Sequence, residues 1–176
     1  MDNWYALQVA TGREADVAAM LRRCGIQAIA PAVARHERKD GHWLVAIRCA
    51  IPGYVFARCQ MTTPLYYHLT RKPGVIKLLG QTGAHYTALP PDQVAWVEAL
   101  HQACGADSTR ISHGQVGADG AIEIVDGPLL AFRDRITKVD ARRRRASIAI
   151  EIYDDIYEVD LALDIIDDKH PGDPAG

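Results

Sequence analysis

Between Gly105 and Asp119 the chain loses all hydrophobic period. Gly105, Ser108, Ser112, Gly114, Gly117 and Gly120 punctuate the stretch, and no apolar residue recurs at a strand or helix interval. A segment without an apolar face has nothing to bury, so it reads as a linker. It separates two unlike regions. Ahead of it, helical and strand patterns alternate; beyond it, the apolar residues follow the two-residue period of strands. The 176 residues are therefore expected to form two small domains, 1–104 and 120–168, with a linker over 105–119 and a disordered, Pro-, Gly- and Asp-rich tail over 169–176.

In the first region Tyr5, Leu7 and Val9 alternate as a strand. Thr11 with Glu14 has the spacing of a capping box, and Val17, Met20, Leu21 and Cys24 then recur at helical spacing until Gly25. Ile26 to Ala34 reads as one strand entering a hairpin whose tip is Asp40-Gly41 and whose return arm carries Trp43, Val45 and Ile47. After the Pro52-Gly53 break, Tyr54 to Ala57 forms a strand. Thr63-Pro64 opens a short helix, Val75 to Leu79 a strand, and Pro90-Pro91-Asp92 a helix carrying Val94, Val97, Leu100 and Cys104. This order predicts an α+β fold, a ferredoxin-like sandwich. Beyond residue 120, strands are expected at Ile122 to Val125, Arg135 to Val139, Ile148 to Ile152 and Tyr157 to Leu163, with a turn at Asp126-Gly127-Pro128. Four or five strands in so few residues suit a small β-barrel.

The formal charge of −2 excludes only a uniformly basic chain. Its distribution is polarised: +4 over residues 1–117 and −6 over 118–168. In the second stretch all seven basic residues lie between Arg133 and Arg145, followed by eight acids and no base from Ser147 to Asp168. The seven histidines are scattered, and no metal-ligand spacing, Walker loop, GxSxG or GxGxxG motif occurs. Neither an enzyme nor a bound metal or cofactor is expected. The four cysteines lack a disulfide or zinc spacing and read as reduced thiols. The N-terminus carries no signal-peptide pattern and no run approaches the ~18 apolar residues of a membrane span, which points to a cytoplasmic protein with no membrane partner.

Two features remain as candidate contact surfaces. Tyr5, Leu7, Trp43 and the segment Ile51-Pro52-Gly53-Tyr54-Val55-Phe56 concentrate large side chains on strands. They are either core or an exposed face that docks a partner helix. The run Arg142-Arg143-Arg144-Arg145 lies between two strand patterns. It is a solvated loop, a grip for phosphates, or a cluster neutralised by the acidic stretch that follows.

Together the motifs resemble the NusG family of transcription elongation factors. Trp4-Tyr5-Ala6-Leu7-Gln8-Val9 followed by Gly12-Arg13-Glu14-Ala15-Asp16-Val17-Ala18 is similar to that family's opening, Ile51 to Phe56 to its FPGYVFV segment, and Lys72-Pro73-Gly74-Val75 to its TPGV motif. Asp126-Gly127-Pro128-Leu129 resembles the entry of a KOW domain. The resemblance implies an N-terminal NGN domain whose apolar pocket, here Tyr5, Leu7, Ile51, Tyr54 and Phe56, binds the clamp helices of RNA polymerase. It also implies a five-stranded KOW barrel that recruits Rho, a ribosomal protein or RNA. No reaction is catalysed, and the chain is expected to be a monomer.

The sequence departs from housekeeping members. Leu129 stands where an aromatic contact for Rho or the ribosome is usual, Asp134 where a turn glycine is expected, and Tyr153-Asp154-Asp155 where FGR is expected. The basic stretch is similar to that of the LoaP group, operon-targeted antiterminators that recognise an RNA hairpin through the KOW domain. That likeness implies contact with nascent RNA through Arg133, Arg135, Lys138, Arg142, Arg143, Arg144 and Arg145. The polar patch of the RfaH group has no counterpart, because Leu65-Tyr66-Tyr67-His68 stands there. Two other roles stay open: a general elongation factor coupling polymerase to Rho or ribosome, and a polymerase-independent RNA-binding KOW protein.

Overall fold

Alternation of apolar residues builds the first strand, β1 (Asn3–Val9), and the 3.6-residue period the first helix, α1 (Glu14–Arg23). In this computed structural model, which describes residues 1–104 and 110–166, the elements continue as β2 (Gln27–Ile29), β3 (Ala32–Lys39), β4 (His42–Cys49), β5 (Tyr54–Cys59), α2 (Thr63–Thr70), β6 (Val75–Leu78), β7 (Gln81–Thr82), β8 (His85–Tyr86) and α3 (Pro91–Cys104). Then follow β9 (Ser112–Val116), β10 (Ile122–Asp126), a 3₁₀ helix (Pro128–Arg135), β11 (Ile136–Asp140), β12 (Arg145–Ile152) and β13 (Asp155–Ile166). No helix among the described residues is long and apolar enough to cross a membrane.

The residues group into two compact units. The first comprises Met1–Ala32, Cys49–Gln102 and Ile150–Tyr157; the second comprises Val33–Arg48 with the described parts of 103–149 and 158–166. The first unit holds a four-stranded sheet in the order β2-β5-β1-β6. One face of it packs on α1 and α2. Tyr5, Leu7 and Val9 of β1 join Val55, Ala57 and Cys59 of β5, Val17, Ala18 and Leu21 of α1 and Leu69 of α2 in a single core. The other face meets α3, where the Phe56 and Trp96 rings pack edge to face at 5.6 Å.

The second unit holds most of a five-stranded sheet in the order β10-β9-β13-β12-β11, curled around Ile124, Leu129, Phe132, Ile148, Val159 and Leu163. Here β9 runs parallel to the end of β13, with Leu163 opposite Ser112. The hairpin β3–β4 belongs to this unit. Its tip, Asp40-Gly41, has positive φ at both residues (51° and 82°), the turn that matches strand twist.

The expected linker needs correction. Residues 112–116 form β9, an integral strand, although Ser112-His113-Gly114-Gln115-Val116 shows no apolar alternation. The absence of a side chain at Gly114 has its own reason: a Cβ there would meet the Ile122 Cγ2 at 2.9 Å. Residues 105–109 of the expected linker and the expected tail lie outside the described residues. The expected strand from Ile26 to Ala34 is two strands broken around Pro31, a residue without an N–H for the ladder.

Candidate functional site

The two Pro-Gly dipeptides that carried the resemblance converge on the end of β1. The Val9 N–H donates to the Gly53 carbonyl and the Ala10 N–H to the Gly74 carbonyl, both at 2.8 Å. Both glycines need positive φ (87° and 88°), and a Cβ on Gly74 would press on Val17 at 3.0 Å. Glu14 joins the same knot. Its carboxylate, almost wholly buried, accepts from the Gly53 N–H at 2.7 Å and the Gly12 N–H at 2.9 Å. The expected capping box is corrected accordingly: the residue preceding α1 is Arg13, with no side-chain cap, and Glu14 ties two loops instead of capping through Thr11.

The five residues expected to form one apolar docking pocket do not share a face. Pairing sets Tyr5 opposite Ala57 and Leu7 opposite Val55, but Ala6 opposite Phe56 and Gln8 opposite Tyr54. Directly opposed residues point the same way. Tyr5 and Leu7 therefore lie on the α1 side, while Tyr54 and Phe56 lie on the α3 side. Tyr5, Leu7, Ile51 and Phe56 are all buried; only Tyr54 is partly exposed. The expectation of one exposed five-residue patch is thus corrected, because strand parity divides it and packing covers most of it.

Tyr54 is held by Tyr157: their hydroxyls are 2.7 Å apart and their rings 5.3 Å apart, edge to face. Burial, then the hydrogen bond to Tyr54, drives the Tyr157 hydroxyl well above the usual phenol range. Beside this pair Gln93 of α3 clamps the backbone of Tyr153, accepting from its N–H at 2.6 Å and donating to its carbonyl at 2.8 Å. The Trp96 indole N–H donates to the Glu151 carbonyl at 2.7 Å. The Tyr153 hydroxyl donates to the Thr87 carbonyl at 2.8 Å, and burial pushes it up to about 12. Its ring lies over Gly80, where a Cβ would meet it at 2.8 Å. Sequence reading missed Gln93, Trp96 and Tyr157 as a set. The one signal available was a glutamine at a helix's first turn, a polar residue that turns out to be buried.

The basic cluster divides as well. Arg144 donates through Nε and Nη2 to Asp164 Oδ1 at 2.9 and 2.6 Å, and its guanidinium sits 5.8 Å from the Trp43 ring centroid. Arg145 donates to Asp160 at 2.7 Å, and the Ser147 hydroxyl donates to the other oxygen of that carboxylate at 2.6 Å. Arg133 donates to the Ile124 carbonyl. Arg142, Arg143 and Lys138 are exposed, with Arg143 3.8 Å from Asp140, and Arg135 is half-buried. Asp164 also faces His36, whose Nε2 lies 3.0 Å from Oδ1 with its side chain only 3 % exposed. Nε2 thus meets the charge of that carboxylate, and Nδ1 has no hydrogen-bond partner. Burial lowers the His36 pKa, with Asp164 opposing and Arg144 reinforcing.

One further surface was not among the expected sites. Around α2, Tyr67 packs edge to face with Tyr66 (5.2 Å) and under Arg71 (5.8 Å), beside a cleft that His68 and Lys72 also line. Exposed aromatic faces with cations are the chemistry that single-stranded nucleic acid uses. Among the described residues no group of three His, Cys, Asp or Glu is placed to hold a metal. Leu129 is fully buried, its N–H bonded to the Ser112 hydroxyl at 2.9 Å, so it offers no side chain to a partner.

The family model described as transcription termination factor nusG matches residues 2–98. The transcription termination/antitermination protein NusG of Bacillus subtilis is 24% identical over 176 residues, covering 94% of this chain and 97% of its own. That of Halalkalibacterium halodurans is 23% identical over 162 residues, covering 86% and 89%. Among solved structures, one titled for domain interaction in Thermotoga maritima NusG aligns with a TM-score of 0.50 at 18% identity, over 92% of this chain and 94% of that one. At that identity the likeness bears on fold alone.

Proposed function

The chain belongs to the NusG family, whose members are non-enzymatic transcription factors that interact with RNA polymerase, and we propose that it is an operon-specific antitermination factor of the LoaP type. In this reading residues 1–104 act as the NGN domain and bind polymerase, and residues from about 112 to 168 act as the KOW domain and contact nascent RNA. It works in the cytoplasm as a monomer without a cofactor.

The exposed pair Arg142 and Arg143 at the β11–β12 turn is the observation that carries the reading. Lys138 lies on the strand leading to it, and Arg135 ends the 3₁₀ helix before that strand. Arginine forks match phosphate oxygens bidentately, and nothing in the sheet's own packing calls for two adjacent exposed cations. Arg144, Arg145 and Arg133 take a smaller part, since each is engaged by an internal acceptor. The polymerase surface centres on Tyr54 and its neighbours on the α3 side of the sheet, rather than on Tyr5 and Leu7. The burial of Leu129 weakens the case for coupling to Rho or a ribosomal protein.

The test is terminator read-through in vitro with purified polymerase. Read-through is expected to rise only on templates carrying the cognate leader, and to fall when Arg142 and Arg143 are both replaced by Ala. Equal read-through on every terminator, whatever the leader, would instead establish the general elongation role of the housekeeping relatives.

A further inference from the structure

The hairpin β3–β4 pairs with no further strand among the described residues, and β4 carries its large side chains outward on both faces. Trp43, Leu44, Val45 and Ile47 are between 37 % and 42 % exposed. One of the four has a π face, and that one is held. The His36 ring meets the Trp43 ring edge to face at 6.3 Å, and the Arg144 guanidinium lies over it at 5.8 Å. Arg144 is anchored in turn by Asp164, at 2.9 and 2.6 Å. A half-exposed indole fixed in this way has already lost the freedom that binding would otherwise take from it.

Positive charge flanks this ring. Asp40-Gly41 is a two-residue turn between the ends of β3 and β4, which sets Lys39 opposite His42 and Arg38 opposite Trp43. Directly opposed residues point the same way, so Arg38 shares the Trp43 face. Arg144, which lies over the ring, closes the turn that exposes Arg142 and Arg143. Arg38 and Lys39 are exposed as well. Among the acids of the hairpin and this turn, Glu37 is engaged by Arg48 at 2.7 Å and Asp140 by the Arg143 N–H at 3.0 Å, which leaves Asp40. An apolar partner would cover these cations without neutralising them. A polyanion with flat bases answers both the charge and the ring. We infer that Trp43 is a stacking platform for an unpaired base of RNA, with Arg38 on the hairpin and Arg142 and Arg143 on the turn taking the neighbouring phosphates. This rests on the reading of the Arg142–Arg143 turn as an RNA contact, and extends it to a hairpin encoded far upstream in the chain. The ligand it selects is RNA with an unstacked base. A fully paired helix offers the phosphates but no base face.

Tryptophan fluorescence of the full chain tests it. Of the three tryptophans, Trp4 and Trp96 are buried, at 5 % and 2 % exposure, so quenching by a stacked base reports on Trp43. The probes are a labelled adenosine oligoribonucleotide and a labelled blunt RNA duplex, titrated at low salt, with affinities read from the anisotropy of the label. The oligoribonucleotide is expected to quench the emission, and the duplex to bind with little quenching. Trp43→Leu keeps an apolar cover over His36. It is expected to weaken oligoribonucleotide binding about tenfold, the loss of one base stack, and to leave the salt slope unchanged, since it removes no charge. Trp43→Phe keeps a smaller ring and is expected to recover part of that loss. If Trp43→Leu binds as the wild type does while Arg142→Ala with Arg143→Ala still loses affinity, the platform is overturned and the turn remains an RNA grip. If the wild type binds neither probe, both readings fall. The platform is also overturned by equal quenching with the blunt duplex, by saturation with the oligoribonucleotide without quenching, or by equal losses in Trp43→Leu and Trp43→Phe.

Discussion

Residues 51–56 and 142–145 are the most conspicuous stretches of their respective units, one for aromatic and aliphatic bulk, the other for charge. Each turns out to be two things at once. In the first, Phe56 and Val55 are buried on opposite faces of one sheet, and among the aromatic and large aliphatic side chains only Tyr54 keeps part of its surface. In the second, Arg144 and Arg145 are tied to Asp164 and Asp160, while Arg142 and Arg143 face solvent. Adjacent residues of one chemical type therefore divide by direction in a strand and by partner in a turn. A contact surface is built from the residues left over after the fold has taken its share.

Substitutions can break that division or sharpen it. The largest effect is expected at Phe56, fully buried against Trp96. Phe56→Ala should cost about 3–5 kcal/mol by urea unfolding, from lost burial and the cavity left behind, whereas Tyr54→Phe removes one hydroxyl contact and should cost about 1 kcal/mol. Equal losses would erase the distinction between them. Next comes Glu14→Ala, which strands the Gly53 and Gly12 amides. A loss of about 2–3 kcal/mol is expected for hydrogen bonds to a charged acceptor.

A smaller, pH-dependent effect belongs to His36. Its folded pKa is lowered from the ordinary 6.5, chiefly by burial. The unfolded chain therefore binds the proton more readily, and the stabilisation from a neutral His36 is complete above pH 6.5 and lost as pH falls through its folded pKa. The groups facing this imidazole are Asp164 of β13, Arg144 of the β11–β12 turn and Trp43 of β4. The urea midpoint should decline between pH 7 and 5 in the wild-type chain more than in His36→Gln. Parallel curves for the two proteins would remove His36 from the account. The smallest effect on folding belongs to Arg142→Ala with Arg143→Ala. The midpoint should not move, while the salt dependence of RNA binding should lose about two units of slope.

Most elements were legible in the sequence because their large apolar residues obey a period: Tyr5, Leu7 and Val9 in β1 and Ile148, Ile150 and Ile152 in β12 are buried at every second position, and Val17 and Leu21 in α1 and Val97, Leu100 and Cys104 in α3 at every third or fourth. The Asp40-Gly41 turn was legible because few residue pairs accept two positive φ angles. The misses have different causes. β9 carries no alternation, being held by pairing on both sides. The strands β7 and β8, two residues each, are too short for a period. Past the expected turn at Asp126-Gly127-Pro128, the 3₁₀ helix Pro128–Arg135 was not expected, because so short an element shows little amphipathic pattern. The candidate pocket was read as one patch because sequence names the large side chains, while the register between β1 and β5 decides which way each one points. The partners of Arg144 and Arg145 lie 20 and 15 residues away, a distance at which spacing carries no information.

Gly80 deserves a last consequence. Its α-carbon lies beneath the Tyr153 ring, at φ 70°, with no room for a methyl group between ring and backbone. Gly80→Ala is therefore a lever one carbon long. It would lift the ring off its seat, crowd the Thr87 carbonyl that the Tyr153 hydroxyl donates to and loosen that bond, while leaving every polar group of the seat chemically untouched. A single methyl group, on a residue that has no side chain of its own, would thus report how firmly the Tyr153 ring is seated.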